Sequence, residues 1–240
     1  MQDRNREGWA KYLSSKIPTK THIPHVERWL STLSFPVRIL DVGCGTGSVS
    51  RLLLKEGCSV VGIDINGAAI EELAREFSHL RHAEFYVRDV ISVSGFELRD
   101  NRFNGVVCQL VASVVGDRSN RIQLLKNIHV ALVLGGKVSI SFSGLSDDIN
   151  ANYAELYKAD MIQTSEYGTY FSRDDAGNIL YQTHHFSVEE IKTLLQNQGF
   201  CEILIEEKIE ASSRRPEERA RFYYVTCERS FNDNVHAGLE

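Results

Sequence analysis

Nine residues, Ile39-Leu40-Asp41-Val42-Gly43-Cys44-Gly45-Thr46-Gly47, carry an apolar run straight into three alternating glycines. The apolar stripe Val49, Leu52 and Leu53 follows at helical spacing. A strand that feeds a bend poor in side chains and then a helix opens a βα unit. Glycine is required where the backbone turns sharply at a strand end and must approach a ligand with no Cβ in the way. Parallel sheets built this way place their ligands outside the carboxyl ends of the strands, where this bend lies.

The alternation continues along the chain. Strand candidates are Val37–Val42, Ser59–Asp64, Glu84–Arg88, Asn104–Gln109 and Gly136–Phe142. Between them Ile70, Leu73, Ala74 and Phe77 mark one amphipathic helix. Ile122, Leu125 and Leu132 mark another over Asn120–Leu134, with Gly135–Gly136 as its stop. Repeated strand and helix predict an α/β fold, a doubly wound parallel sheet covered on both faces. Near the end Ser187 with Glu190 reads as a capping box, Val188, Ile191 and Leu195 as an apolar face and Gly199 as a stop. The runs Phe200–Glu210 and Arg221–Glu228 then share one polar loop, Ala211–Ala220, which predicts an antiparallel pair.

Leu145 to His185 breaks the pattern, and a connection that long carries a function or its own structure. It is aromatic (Tyr153, Tyr157, Tyr167, Tyr170, Phe171, Tyr181) and acidic (Asp147, Asp148, Glu155, Asp160, Glu166, Asp174, Asp175). We expect a helical cap over the carboxyl edge of the sheet. Residues 1–240 are expected to form a single domain, with an N-terminal helical segment (1–35), the cap insert (145–185) and a frayed tail (230–240).

Two further acids fall at strand ends. Asp64 closes Val60-Val61-Gly62-Ile63-Asp64, 21 residues after Gly43, placed to accept from ribose hydroxyls. Asp89 closes Phe85-Tyr86-Val87-Arg88-Asp89, within reach of an adenine amino group. A pyrophosphate-binding loop reads G-x-G-x-x-G, and counting from Gly43 the sixth position is Ser48. Carboxylates from Asp41, Asp64 and Asp89 around the crevice suit a cationic adenosyl sulfonium better than a dianion.

The segment ILDVGCGTG, the strand VVGIDI, the RDV at Arg88–Val90 and the terminal hairpin resemble the class I S-adenosylmethionine-dependent methyltransferases, from about Pro36 to Glu228. The resemblance implies a seven-stranded, mostly parallel sheet of order 3-2-1-4-5-7-6 with strand 7 antiparallel. It implies S-adenosylmethionine as cofactor, with Gly43, Cys44, Gly45 and Gly47 against its methionine part. Asp41 would help hold the amino group, Asp64 the ribose diol and Asp89 the adenine N6. Ile65 and Val90 would sandwich the ring, and Gln109 would lie beside the transferred methyl. The chain departs from the family in having Asn104 where many small-molecule members open strand four with aspartate. Cys108-Gln109-Leu110-Val111 replaces the (D/N/S)-P-P-(Y/F) tetrad of nucleobase amino-methylating members, which disfavours nucleic acid as acceptor.

Composition narrows the class further. A net charge of −5 offers no global positive field for a polyanion. Cys44, Cys58, Cys108, Cys201 and Cys227 show no zinc-type spacing and no secreted disulfide framework. No metal site is expected. The polar start MQDRNREGWAKYL lacks the apolar core of a signal peptide, and no run reaches the roughly 20 apolar residues of a membrane span. A cytoplasmic protein with no membrane partner is the expectation.

Acceptor chemistry is read more thinly. His184 and His185, just before the capping box, are candidate catalytic bases that titrate near neutrality. On an extended segment they point opposite ways, so at most one faces the site. Either is also an ordinary core or surface histidine, as are His22 and His25. Trp9 and Tyr12 on a first helix, with Tyr153, Tyr157 and Tyr170 of the insert, are candidates for a pocket that holds an apolar or cationic small molecule. The same residues also read as a packed underside. The functional expectation is methyl transfer to oxygen, nitrogen or carbon of a small-molecule acceptor. A nucleotide-dependent oxidoreductase with a variant glycine loop, and a non-catalytic binding subunit of the same fold, stay open beside it.

Overall fold

A computed structural model describes residues 4–10, 23–92, 103–174, 176–212 and 218–231. The elements run α1 (Arg4–Ala10), α2 (Ile23–Leu30), β1 (Arg38–Val42), α3 (Ser48–Lys55), β2 (Ser59–Asp64), α4 (Gly67–Glu76), β3 (Ala83–Val87) and β4 (Phe103–Cys108). They continue as α5 (Val111–Val114), α6 (Arg118–Ala131), β5 (Leu132–Gly144), α7 (Ala151–Thr164), β6 (Thr169–Arg173), β7 (Ile179–His184), α8 (Val188–Asn197), β8 (Phe200–Ala211) and β9 (Arg219–Arg229).

Seven strands form one sheet in the order β3-β2-β1-β4-β5-β9-β8. β1, β2, β3, β4 and β5 are parallel, and β9 lies antiparallel between β5 and β8. With the insert hairpin set aside, this is the expected order 3-2-1-4-5-7-6. The apolar runs of β1 and β2 are buried because helices cover both faces. On one face Val26 and Trp29 of α2 and Leu53 of α3 close over Ile39 and Val60. On the other, Leu124 and Ile128 of α6 and Ile191 and Leu195 of α8 close over Val106, Ile140 and Val225. Side chains open the helices: Asn66 caps the N-terminus of α4, accepting from Ala69 N, and Asp117 that of α6, accepting from Ser119 N and Asn120 N. Among the described residues no helix is long and apolar enough to cross a membrane.

Three expectations need correction. The insert is not wholly helical: α7 is followed by an antiparallel hairpin, β6–β7. Its strands TYFSR and ILYQTH are aromatic and β-branched, and between them Asp174 accepts from the backbone of Ala176 and Asn178. The second helix ends at Ala131 rather than Leu134, because Leu132 already pairs with Phe103 and Gly135 sits in an irregular stretch of β5 with φ of 69°. β3 stops at Val87, so Asp89 stands in the turn beyond it, its Oδ1 accepting from Ile91 N at 2.9 Å.

Candidate functional site

The crevice begins at the glycine bend. Gly43, Gly45 and Gly47 all adopt positive φ, at 68°, 51° and 84°. Two of them are also sterically fixed: a Cβ on Gly43 would fall 2.2 Å from Val111 Cγ2, and one on Gly47 would fall 2.3 Å from Leu73 Cδ2. The bend is therefore held by α5 on one side and α4 on the other.

Four of its amides are already spoken for. Gly43 N and Cys44 N donate to Ile63 O (2.8 and 3.1 Å), Gly47 N donates to Cys44 O (2.8 Å), and Gly45 N donates to Asp64 Oδ2 (2.9 Å). A pyrophosphate-binding bend must keep such donors for its ligand. Here one of them is bonded to a carboxylate, so an anion would meet negative charge. The Cys44 side chain points away, buried against Ile70 and Leu73, and burial raises its thiol well above the ordinary range. Only its main chain lines the bend.

Two acids dominate the electrostatics. Asp41 is 2% exposed; burial pushes its carboxyl up to about 7, against the opposing hydrogen bond from Ser50 Oγ at 2.6 Å, and Asp64 adds to the rise. Asp64 is raised as well, by burial first, although Asn66 N and Gly45 N donate to it. Among the described residues neither carboxylate has an ion pair with Lys, Arg or His. Two desolvated acids with no cation of their own are a donor set for a positively charged ligand.

Beside them, Ile65 is half-buried, whereas Val90 belongs to the main core and its carbonyl accepts from Asn127 Nδ2 at 2.5 Å. Gln109 follows β4 with its Nε2 on Ser139 O at 3.1 Å, and its buried Oε1 meets no hydrogen-bond partner among the described residues. Trp9 is brought to this edge: its carbonyl accepts from Asn66 Nδ2 at 3.2 Å, and its ring lies 4.9 Å from that of Tyr181. α1 thus bridges the end of β2 and the hairpin strand β7. Tyr12 and His22 lie outside the described residues.

The insert gathers Tyr153, Tyr157, Tyr170 and His185 into one cluster. Tyr157 accepts from Ser146 N and lies 2.6 Å from His185 Nδ1; Tyr170 Oη lies 3.3 Å from His185 Nε2. Tyr153 and Tyr157 pack on Phe222 and Tyr224 of β9, with Leu110 at the rim, so they form the cap's packed underside. His185 is 4% exposed, and burial, followed by the neighbouring His184, lowers its ring to about 3. His184 is 1% exposed and turned the other way, toward Thr169 and Glu190. The opposite pointing is as expected. Neither histidine is a solvent-facing base, because both rings are enclosed and bonded within the protein. His25 stacks on Tyr224 at 3.5 Å, far along the sheet from the bend.

The chain's residues 39–136 match the family model for a methyltransferase domain. A solved S-adenosylmethionine-dependent methyltransferase from Methanosarcina mazei superposes with a TM-score of 0.75 at 25% identity, over 87% of this chain and 98% of that one. The chain is 28% identical to glycine N-methyltransferase of Oryctolagus cuniculus over 174 residues, 64% of this chain and 58% of that protein. It is 34% identical to the ribosomal protein L11 methyltransferase of Helicobacter pylori strain 26695 over 98 residues, 40% of this chain and 28% of that protein. This chain therefore spans less than two thirds of the length of either relative.

Residues 39–136 are a methyltransferase domain, and the fold is that of the class I S-adenosylmethionine-dependent methyltransferases. The chain's cofactor is S-adenosylmethionine, and the residues present fit that molecule. The paired, cation-free carboxylates Asp41 and Asp64 suit its positive charge, and the used-up amides suit its lack of phosphate. Sequence reading missed Ser50 and Asn66, which orient those two acids. V-S-R and I-N-G carry no signal until the strand ends are seen side by side.

Proposed function

We propose that this methyltransferase acts on a small-molecule acceptor held between the carboxyl ends of β4 and β5 and the 145–185 insert. The observation that carries the reading is the roof. Trp9 of α1 meets Tyr181 of β7 and Asn66 of the β2 edge, so the crevice is bridged rather than left open to a macromolecule. The acidic balance of the chain supports it. The match to the ribosomal protein L11 methyltransferase covers 40% of the chain, whereas the match to glycine N-methyltransferase covers 64%.

Asp64 would take the ribose hydroxyls, Asp41 the amino group and Asp89 the adenine N6, with Ile65 and Val90 flanking the ring and Gly43, Gly45 and Gly47 against the methionine part. S-adenosylmethionine supplies a methyl carbon already activated by the sulfonium. Held by these residues, it would give that methyl to the acceptor's lone pair and keep the carbon–sulfur electron pair as a neutral thioether. This chain's part is to hold the acceptor in line, with Gln109 beside the reacting centre, and to exclude water. An acceptor proton, where present, would be lost to solvent before the acceptor enters; His184 and His185, enclosed and bonded within the protein, are given no part in it.

Incubation with methyl-labelled S-adenosylmethionine and a whole-cell extract, followed by separation by size, tests the reading. Label is expected in the small-molecule fraction. Label confined to protein or RNA would overturn it, and competition by nicotinamide dinucleotides for the cofactor site would favour the oxidoreductase alternative.

A further inference from the structure

A second buried polar group lies behind the insert. Arg121 of α6 is 1% exposed, and its Nη1 donates to Val115 O and Gly116 O (3.2 and 2.9 Å), fixing the chain just past α5. Its Nη2 donates to Glu166 Oε1 at 2.5 Å, in the turn before β6. Thr169 of β6 donates to Glu166 Oε2 at 2.7 Å and lies 2.6 Å from His184 Nδ1. His184 Nε2 faces both oxygens of Glu190 in α8, at 3.1 and 3.0 Å. A carboxylate only accepts, so His184 Nε2 is the donor toward Glu190.

By residue type, Glu166, His184 and Glu190 resemble a cation site. The arrangement says otherwise. Glu166 and Thr169 stand at Nδ1 and Glu190 at Nε2, so the ring separates the two carboxylates instead of joining them on one ion. The Arg121 guanidinium already neutralises Glu166, whose carboxyl it holds below the usual range against the pull of burial.

We propose that Arg121, Glu166, Thr169, His184 and Glu190 form a positioning network that sets the insert over the carboxyl edge and so fixes the acceptor relative to the cofactor. It fastens both sides of the acceptor region to the two helices beneath. Arg121 holds the Val115–Gly116 turn, and a Cβ on Gly116 would come within 2.5 Å of Gln182 in β7. Thr169 and His184 hold facing positions of β6 and β7. Nothing in the network touches the glycine bend, so its loosening leaves cofactor binding in place. The idea rests on the acceptor-site reading above.

The test compares Thr169→Val, which deletes the bridging hydroxyl at equal size, with Thr169→Ser, which keeps it. The first readout is amide hydrogen exchange over 145–185, the second the affinity for S-adenosylhomocysteine. The third is the extract concentration that half-saturates transfer of labelled methyl into small molecules. For Thr169→Val, exchange in β6 and β7 should quicken about tenfold, and the half-saturating concentration should rise about tenfold. S-adenosylhomocysteine affinity should stay within about twofold, and Thr169→Ser should match wild type in all three. Unchanged exchange in the insert, or equal loosening of the whole sheet with loss of S-adenosylhomocysteine binding, overturns the proposal. If Thr169→Val does not fold, Glu190→Gln is read by the same three measurements. Tyr170→Ala leaves the five groups in place and reads the acceptor site separately. Should it raise half-saturation while Thr169→Val does not, the network fails alone; should neither do so, the acceptor-site reading fails.

Discussion

The glycine bend and the insert each bury several ionisable groups, yet they settle their charges differently. In the insert every described acid that is buried has found its counterpart. Asp160 takes two bonds from Arg173 and one from Phe171 N, which hold it below the usual range although burial pulls the other way. Glu166 has Arg121 and Thr169. At the bend Asp41 and Asp64 have hydroxyl and amide donors but no cation among the described residues, and burial raises both. A buried acid with a partner is finished scaffold, whereas a buried acid without one stores a cost that a cationic ligand can relieve. The contrast separates a part that holds shape from a part that waits for charge.

The strongest way to break this contrast is to put a methyl group on a glycine in each region. Gly43→Ala forces a Cβ to 2.2 Å from Val111 Cγ2 at positive φ, so it should cost about 2–4 kcal/mol of stability and abolish cofactor binding. Gly177→Ala, at φ of 83° in the hairpin turn with open space around it, should cost only about 1 kcal/mol, from backbone strain. Equal losses by chemical denaturation would mean the bend is no more constrained than a surface turn.

A smaller effect tests the charges themselves. Asp64→Ala should weaken S-adenosylmethionine binding by roughly ten- to a hundredfold while leaving the melting temperature unchanged or higher, since it deletes an acid with no cation. Asp160→Asn should do the reverse: about 1–3 kcal/mol of stability lost and cofactor affinity kept. Calorimetric titration and thermal melts read both.

The smallest effect is graded by pH, and its sign differs between the regions. With its carboxyl raised to about 7, Asp41 favours the protonated form in the free protein, so its contribution to stability falls as pH rises from about 4 through 7. A cation binds the ionised form, so affinity should climb by up to about tenfold per pH unit below 7, level off above, and lose that slope in Asp41→Asn. His185, lowered to about 3, favours the neutral ring; its contribution is whole above about 6.5 and is lost as pH falls toward 3. Denaturation at pH 5 and 7 should show His185→Gln gaining stability at pH 5 relative to pH 7 when each is compared with the unsubstituted chain, the opposing Asp41 slope being common to both.

What could be read from the chain in advance follows the same division. Ile39–Gly47 and Asp64 announced the bend and its acid, because strand periodicity and glycine freedom act over a few neighbouring residues. The strand order came with the family resemblance. The β6–β7 hairpin stayed hidden since TYFSR and ILYQTH are ambiguous until the Asp174 turn brings them together. Nor could the residues show whether His184 and His185 work as bases or as fastenings. That depends on Glu166, Glu190, Tyr157 and Tyr170, which reach them from other elements.

By itself, then, the amino-acid order determined a parallel α/β sheet and the glycine turn proposed to receive an adenosyl ligand, since those signals are local and repetitive. Only the tertiary structure decided which buried charges are balanced. The fate of a carboxylate or an imidazole is set by desolvation and by partners distant in the chain, and neither exists before the elements pack.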